Sequence, residues 1–210
     1  MPTITQLERA YALKGVSEAR DFYDEWAATY NDEMAKEGRE YMAPTLASKH
    51  LADILGPSDI ASCAILDSGC GTGLVGARLK EMGAKNIDGI DISTGMMEVA
   101  RETEAYNSLS VADLSKRLAI EDNTYKAVIC VGTLTRGHVG PEILDEFARV
   151  TQVGGFIVAT VLGTVWEQGG YCDKVKDLVA GGTAALISAD LEDIVPGTGT
   201  QAVMLILRAM

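Results

Sequence analysis

Apolar side chains recur every three or four residues between Ser17 and Met34: Ala19, Phe22, Tyr23, Trp26, Ala27, Tyr30 and Met34. That spacing predicts one amphipathic helix, with Ser17 as its cap. Pro44 suits a first helical position, Leu46, Leu51, Ile54 and Leu55 form the next apolar stripe, and Gly56-Pro57 ends it. Residues 1–60 therefore read as a helical cap, and 61–210 as the core of what is overall a single domain.

After Ala61 the pattern becomes strand–helix alternation. Short apolar runs at Ala64–Asp67, Asn86–Asp91, Leu109–Ala112, Ala127–Gly132 and Phe156–Leu162 predict strands. Amphipathic stretches at Leu74–Met82, Thr94–Glu104 and Pro141–Thr151 predict the helices between them. Runs this apolar argue for a parallel sheet covered on both faces. The tail differs. A helix at Tyr171–Ala180 precedes two strand-like runs, Ala184–Leu191 and Gln201–Arg208, joined by "EDIVPGTGT". Nine Pro/Gly-rich residues suit an antiparallel hairpin rather than a crossover, so the sheet is expected to end in an antiparallel edge pair.

Charge narrows the function. Thirty acids against 18 bases give a net charge of −12, and no Lys/Arg run exceeds "SKR" at 115–117, so a nucleic-acid partner is not expected. No window approaches a membrane span, and "MPTITQLERAY" has neither the basic nor the apolar part of a signal peptide. Cys63, Cys70, Cys130 and Cys172 are scattered, with no CxxC pair, which predicts reduced cytoplasmic thiols and no metal site.

The candidate chemistry lies in "ILDSGCGTGLVG", Ile65 to Gly76. Gly71-x-Gly73-x-x-Gly76 formally matches the dinucleotide-binding pattern, but Gly71 comes five residues after Leu66 ends the apolar run, too late for the tight turn after a first strand. Starting at the acid gives Asp67-x-Gly69-x-Gly71-x-Gly73. Glycines at 69 and 71 let backbone pass close to a bulky ligand. Asp67 could receive an ammonium, and the helix N-terminus after Gly73 a carboxylate. Asp91, ending the second strand, could accept both ribose hydroxyls, a device NAD sites share; alone it is equally a helix cap. Asp113 could accept from an adenine amine, or simply hold a turn. Ile92, Met96 and Leu114 would supply apolar faces for the ring. Amino acid, ribose and adenine at successive strand ends describe S-adenosylmethionine.

With these motifs the chain resembles the class I S-adenosylmethionine-dependent methyltransferases. "ILDSGCGTG" looks like their first motif, "GIDIS" with Met96-Met97 like the second-strand motif, "ADL" like the adenine motif, and "VTQVGGFIVAT" like the turn into the fifth strand. "DFYDEWAATYND" and "VICVGTLTRGHVGP" look closest to the methyltransferase-like proteins of the Williams–Beuren region. Ser68 and Lys126 depart from the usual pattern, away from the cofactor motifs. The resemblance implies a Rossmann-like α/β fold with a seven-stranded, mostly parallel sheet, an antiparallel C-terminal strand, and an N-terminal helical lid. It implies cofactor contacts at Asp67, Gly69, Cys70, Gly71, Gly73, Asp91, Ile92, Met96, Asp113, Leu114 and Val131, with Tyr23 and Tyr30 over the methionine end. S-adenosylhomocysteine would be the product. It names no acceptor.

A sulfonium methyl arrives activated, so in-line transfer chiefly needs proximity, and a base only where the acceptor holds a proton. His138, just beyond the fourth strand, is the candidate catalytic residue; a loop histidine bound to backbone is the plainer alternative. Arg136 is a candidate contact for an anionic substrate, and Trp26 and Trp166 candidate walls of the acceptor pocket. The aromatic stripe of 17–34 is either fixed core or a lid. No Asn/Asp-Pro-Pro-Tyr follows the fourth strand, which argues against amide or exocyclic-amine methylation. Short insertions between strands favour a small-molecule acceptor. A nicotinamide-dependent oxidoreductase and a non-catalytic methyltransferase-like binding protein stand as alternatives.

Overall fold

A computed structural model describes residues 5–13, 15–35 and 40–210. The first four residues, on which the leader reading partly rests, lie outside that set. Seven strands form one sheet: β1 (Ile65–Ser68), β2 (Ile87–Asp91), β3 (Ser108–Val111), β4 (Tyr125–Leu134), β5 (Thr151–Leu162), β6 (Ala184–Val195) and β7 (Thr200–Ala209). Their order is β3-β2-β1-β4-β5-β7-β6. β1 pairs in parallel with β2 and β4, β2 with β3, and β4 with β5, while β7 runs antiparallel between β5 and β6. The fold is the Rossmann-like α/β architecture expected.

The helices are α1 (Gln6–Ala10), α2 (Val16–Met34), α3 (Ala43–Ser62), α4 (Leu74–Glu81), α5 (Thr94–Glu102), α6 (Ile143–Val150) and α7 (Tyr171–Ala180). Period-2 alternation sends β4 side chains to two cores. Ala127, Ile129 and Val131 pack with α3 and α4 residues such as Leu51 and Leu79; Val128 and Cys130 pack with Phe147, Leu144 and Val175 of α6 and α7. Both faces of the central strand are thus dry, which is why its sequence is nearly all apolar.

Four details depart from the sequence reading. Ser17 does not cap α2; the helix begins at Val16 after Gly15, with no side-chain cap, because Ser17 already lies inside the first turn. α1 is an additional short helix, closed by a capping box in which Glu8 N–H donates to Thr5 Oγ1 and Thr5 N–H donates to Glu8 Oε2. "EDIV" belongs to β6, paired through Glu192 with Ala202 and Asp193 with Gln201, so the hairpin turn is only residues 196–199. The expected division at residue 60 falls inside α3. Gly56 (φ 75°) breaks that helix before Pro57, but Ala47, Leu51 and Leu55 on one side and Ile60 on the other all belong to the sheet's core. Only α1 and α2 form a separate cluster, of Ala10, Leu13, Ala19, Phe22 and Trp26.

Phe147 is fully buried between α6 and the sheet. Phe147→Ala should cost about 3–5 kcal/mol of stability by chemical denaturation, the usual range for emptying an aromatic site. A loss below about 1 kcal/mol would mean that this face is not close-packed.

Candidate active site

Strand order reverses between β1 and β4, and a cleft opens there at the strands' carboxyl ends. Its floor is the glycine loop. Gly69 and Cys70 N–H both donate to Ile90 O, at 2.8 and 3.0 Å. Gly71 N–H donates to Asp91 Oδ2 at 2.8 Å, and Ser93 N–H to Asp91 Oδ1 at 2.9 Å. Ser93 Oγ caps α5 by accepting from Met96 N–H at 3.0 Å. Asp91 therefore ties the loop to the next helix while each oxygen keeps a second lone pair. Burial raises its pKa, against the amides of Ser93 and Gly71 that favour the charged form.

The glycines serve different ends. Gly69, Gly71 and Gly73 all have left-handed φ, at 73°, 52° and 86°. A Cβ on Gly69 would stand 2.2 Å from Thr133 Oγ1, and one on Gly73 3.1 Å from Ala100 Cα and Thr103 Cγ2. A Cβ on Gly71 would meet no protein atom within 4 Å; it would project into space left for a ligand. Gly73 does not line the cleft. It packs α4 closely on α5. Gly76 is likewise a packing glycine, since its Cβ would strike the Tyr106 ring at 2.3 Å. The two later glycines of the formal GxGxxG thus face protein.

Asp67 is fully buried, and the residues that line the cleft do not include it. Tyr106 reaches back between α4 and β1, donating its hydroxyl to Asp67 Oδ2 at 2.6 Å while accepting from Gly76 N–H at 3.2 Å. Asp67 Oδ1 has no partner. Burial pushes the carboxyl up to about 7, reinforced by the charge of Asp91 and opposed by the Tyr106 bond.

The roof is α2. Asp24 Oδ1 accepts from Ser93 Oγ at 2.6 Å and Gly95 N–H at 2.8 Å, while Asn31 Oδ1 accepts from Thr72 Oγ1 at 2.6 Å. These bonds set Tyr23 and Tyr30 over the loop, and both line the cleft with Cys70, Ile92, Met96, Leu114 and Val131 as expected. Asp113 lines it too, but its carboxylate is engaged. Ser115 N–H and Oγ donate to Oδ1, and Lys116 lies 2.9 Å from Oδ2. Burial would raise its pKa; the Ser115 and Lys116 contacts outweigh that and hold it low.

His138 enters beside Tyr23. Its Nδ1 lies 2.7 Å from Arg136 O and 2.8 Å from Thr135 Oγ1, and its Nε2 lies 2.8 Å from Tyr23 Oη. A carbonyl only accepts, so Nδ1 carries the proton and Nε2 accepts from the Tyr23 hydroxyl. Burial lowers the His138 pKa against the carbonyl bond, which favours the neutral ring.

A second cavity of about 360 Å³ adjoins the cleft between α1, α2 and the β6–β7 hairpin. Tyr23, Tyr30, Tyr41 and Gly132 line both spaces. Trp26 lines only the second, its indole N–H donating to Glu33 at 3.1 Å. The two other candidate substrate residues, Arg136 and Trp166, line neither space. Arg136 is exposed; its carbonyl, not its guanidinium, is what the site uses. Trp166 packs with the α7 side of the core, away from both.

Residues 65–155 match a family model described as Methyltransferase domain. Over those residues the chain is similar to methyltransferase domains. It is 35% identical over 156 residues to human Methyltransferase-like protein 27, covering 74% of this chain and 62% of that protein. It is 31% identical over 114 residues to Malonyl-[acyl-carrier protein] O-methyltransferase of Serratia marcescens, covering 50% of this chain and 43% of that protein. The chain thus spans less than two thirds of these relatives. The magnesium protoporphyrin IX methyltransferase of Synechocystis PCC 6803, solved with bound S-adenosylhomocysteine, superposes with a TM-score of 0.66 at 15% identity, covering 93% of this chain and all of that one. S-adenosylmethionine is the cofactor of such domains. Asp91, on the cleft wall with a free lone pair on each oxygen, suits its ribose diol, and the wall is open at Gly71.

Sequence reasoning missed Asp24, Asn31, Tyr41, Tyr106 and Thr135. Asp24 and Asn31 sit in the motif that resembles family members but carry no local signal of bonding to a loop more than 40 residues away. Tyr106 lies in a connector, where no periodicity marks it.

Asp67 gives a pH prediction. An acid whose folded pKa exceeds its unfolded value near 3.8 favours folding while protonated. Its contribution is full below about pH 4, declines as the unfolded chain alone gives up the proton, and is level above about pH 7. Asp67→Asn removes that decline while keeping an acceptor for Tyr106. Denaturation should show the variant gaining on wild type between pH 4 and 8; an unchanged difference would place the Asp67 pKa near its ordinary value.

Proposed function

We propose that this protein transfers a methyl group from S-adenosylmethionine to a small-molecule acceptor by in-line displacement. The observation that carries the reading is the roofed cleft that continues into an adjoining cavity of about 360 Å³, within the roughly 300–1,000 Å³ of small-molecule sites. When bound, S-adenosylmethionine supplies a methyl group on an activated sulfonium. Asp91 would accept from the ribose, Ile92, Met96 and Leu114 would flank the adenine, and the loop backbone at Gly71 would lie against the ligand. Tyr23 and Tyr30 on the roof would exclude water from the reacting end.

His138 is the base of this reading. The proton of an acceptor hydroxyl or amine would pass to Nε2 through the Tyr23 hydroxyl, with Arg136 O holding the opposite ring nitrogen. The lowered pKa keeps Nε2 available near neutral pH. The net charge of −12 opposes a nucleic-acid acceptor. Among the described residues no helix is long and apolar enough to cross a membrane, and all four cysteines are free thiols; a cytoplasmic site of action is part of the proposal. The narrower kinship with the methyltransferase-like proteins of the Williams–Beuren region is supported by the two quoted stretches and the identity to the human relative. The division of labour, cofactor on the core and acceptor under α1 and α2, is likewise proposed. The nicotinamide alternative is disfavoured because Gly73, the position at which a dinucleotide loop needs close approach to pyrophosphate, packs on α5.

The deciding experiment is a metabolite screen with labelled S-adenosylmethionine. It should yield a methylated small molecule with wild type and none with Gly71→Val, whose side chain fills ligand space and which should lose S-adenosylhomocysteine binding by calorimetry. Unchanged affinity in that variant would sink the cofactor placement; binding without any product would favour the non-catalytic alternative.

If α2 is a lid, amides of 17–34 should exchange faster in the ligand-free protein and gain protection with S-adenosylhomocysteine. Equal protection in both states would make α2 fixed core.

A further inference from the structure

We propose that the cavity beneath α1 and α2 holds the positively charged nitrogen of an acceptor whose body is apolar or aromatic. This names the substrate class of the methyltransferase reading and rests on it. Among the described residues the lining contains no lysine, arginine or histidine, and Glu33 is its one charged side chain. Glu33 is half-buried, and its bonds come from neutral donors: Trp26 Nε1 at 3.1 Å and Thr29 Oγ1 at 2.8 Å. Among the described residues no cation pairs with it. Five aromatic rings surround the same space, with Trp26 and Tyr30 edge to face at 4.7 Å between centroids.

These features select by charge. Ring faces carry the negative part of the aromatic quadrupole and attract a cation, most strongly where water is scarce. A carboxylate satisfied only by neutral groups gains a partner when an ammonium arrives. An anion would face Glu33 and the ring faces together, with no compensating donor charge, so the cavity rejects it. Leu7, Leu162 and Ile194 leave apolar wall for the rest of the molecule. Glu33 stands one helical turn beyond Tyr30, about 5 Å of rise. The cation therefore anchors the acceptor at the far side of the tyrosine wall, and the opposite end of the acceptor faces the cofactor cleft.

Three probes of one shape test this: 2-phenylethylamine, 2-phenylethanol and phenylacetate, titrated by ligand-observed NMR with and without S-adenosylhomocysteine. The amine should bind roughly tenfold tighter than the carboxylate, the scale of one desolvated cation–π or ion-pair contact. Glu33→Gln should remove most of that preference and leave S-adenosylhomocysteine affinity unchanged by calorimetry. Equal or tighter binding of phenylacetate, no binding of any probe, a preferred alcohol, or a preference that survives in the variant each overturns the proposal. The wild-type ranking decides the matter should the variant not fold. Failure of S-adenosylhomocysteine to bind would instead strike the cofactor reading, since the probe ranking is also taken without it.

Discussion

The site depends on one carboxylate bridging two amides. Asp91 takes Gly71 N–H on one oxygen and Ser93 N–H on the other. Those amides belong to the loop after β1 and the turn after β2, so the bridge spans two crossovers of the sheet. Both segments leave adjacent parallel strands, and parallel pairing alone would bring their ends near without fixing their orientation. The bridge fixes it. Ser93, held by Asp91, then caps α5 and donates to Asp24, which fastens the roof. Floor, helix start and roof thus hang on one residue, and removing it would loosen the loop as well as any ribose contact.

Asp67 and Asp91 look alike in sequence, each an acid closing a strand beside a turn. Their environments separate them. Asp91 lies on the cleft wall with an amide on each oxygen; Asp67 lies behind the loop with one phenol and an orphaned oxygen. Burial, opposed chiefly by the Tyr106 bond, drives Asp67 towards the neutral form, whereas at Asp91 the amides of Ser93 and Gly71 oppose the same drift. The distinction comes from Tyr106, which arrives from beyond α5 and donates its hydroxyl to Asp67 Oδ2.

This shows what a chain can disclose before it folds. The seven strands and the antiparallel ending were legible because period-2 runs and Pro/Gly punctuation are local. The cleft was legible because strand ends converge in any open parallel sheet, so Asp91, Ile92, Met96 and Gly71 could be placed from order alone. What was not legible depends on side chains crossing long stretches of sequence. Gly73 reads as a phosphate-loop glycine but is needed for helix contact, Arg136 lends its carbonyl rather than its charge, and Trp166 turns to the opposite core. The β6 boundary failed for a different reason: Glu192 and Asp193 have low strand propensity, and cross-strand pairing with β7 overrode it.

α2 shows how one amphipathic stripe serves two surfaces. Its residues at 19, 22 and 26 pack with α1 in a small cluster, while Tyr23 and Tyr30, about 40° round the helix from Ala19 and Trp26, pack against that cluster and also line the cleft. The cluster keeps the roof helical and stiff; the tyrosines supply ring faces and hydroxyls below it. Core or lid is therefore a false choice at the level of the helix. Its own hydrophobic cluster is separate from the sheet's two cores, and polar bonds from Asp24, Asn31 and Tyr23 tie it to the site. Polar bonds at a cleft edge can exchange with water at little net cost, whereas dry packing cannot. An element built this way can keep its own structure while its seating changes, and the geometry a ligand would experience is then set by two side chains rather than by the whole interface.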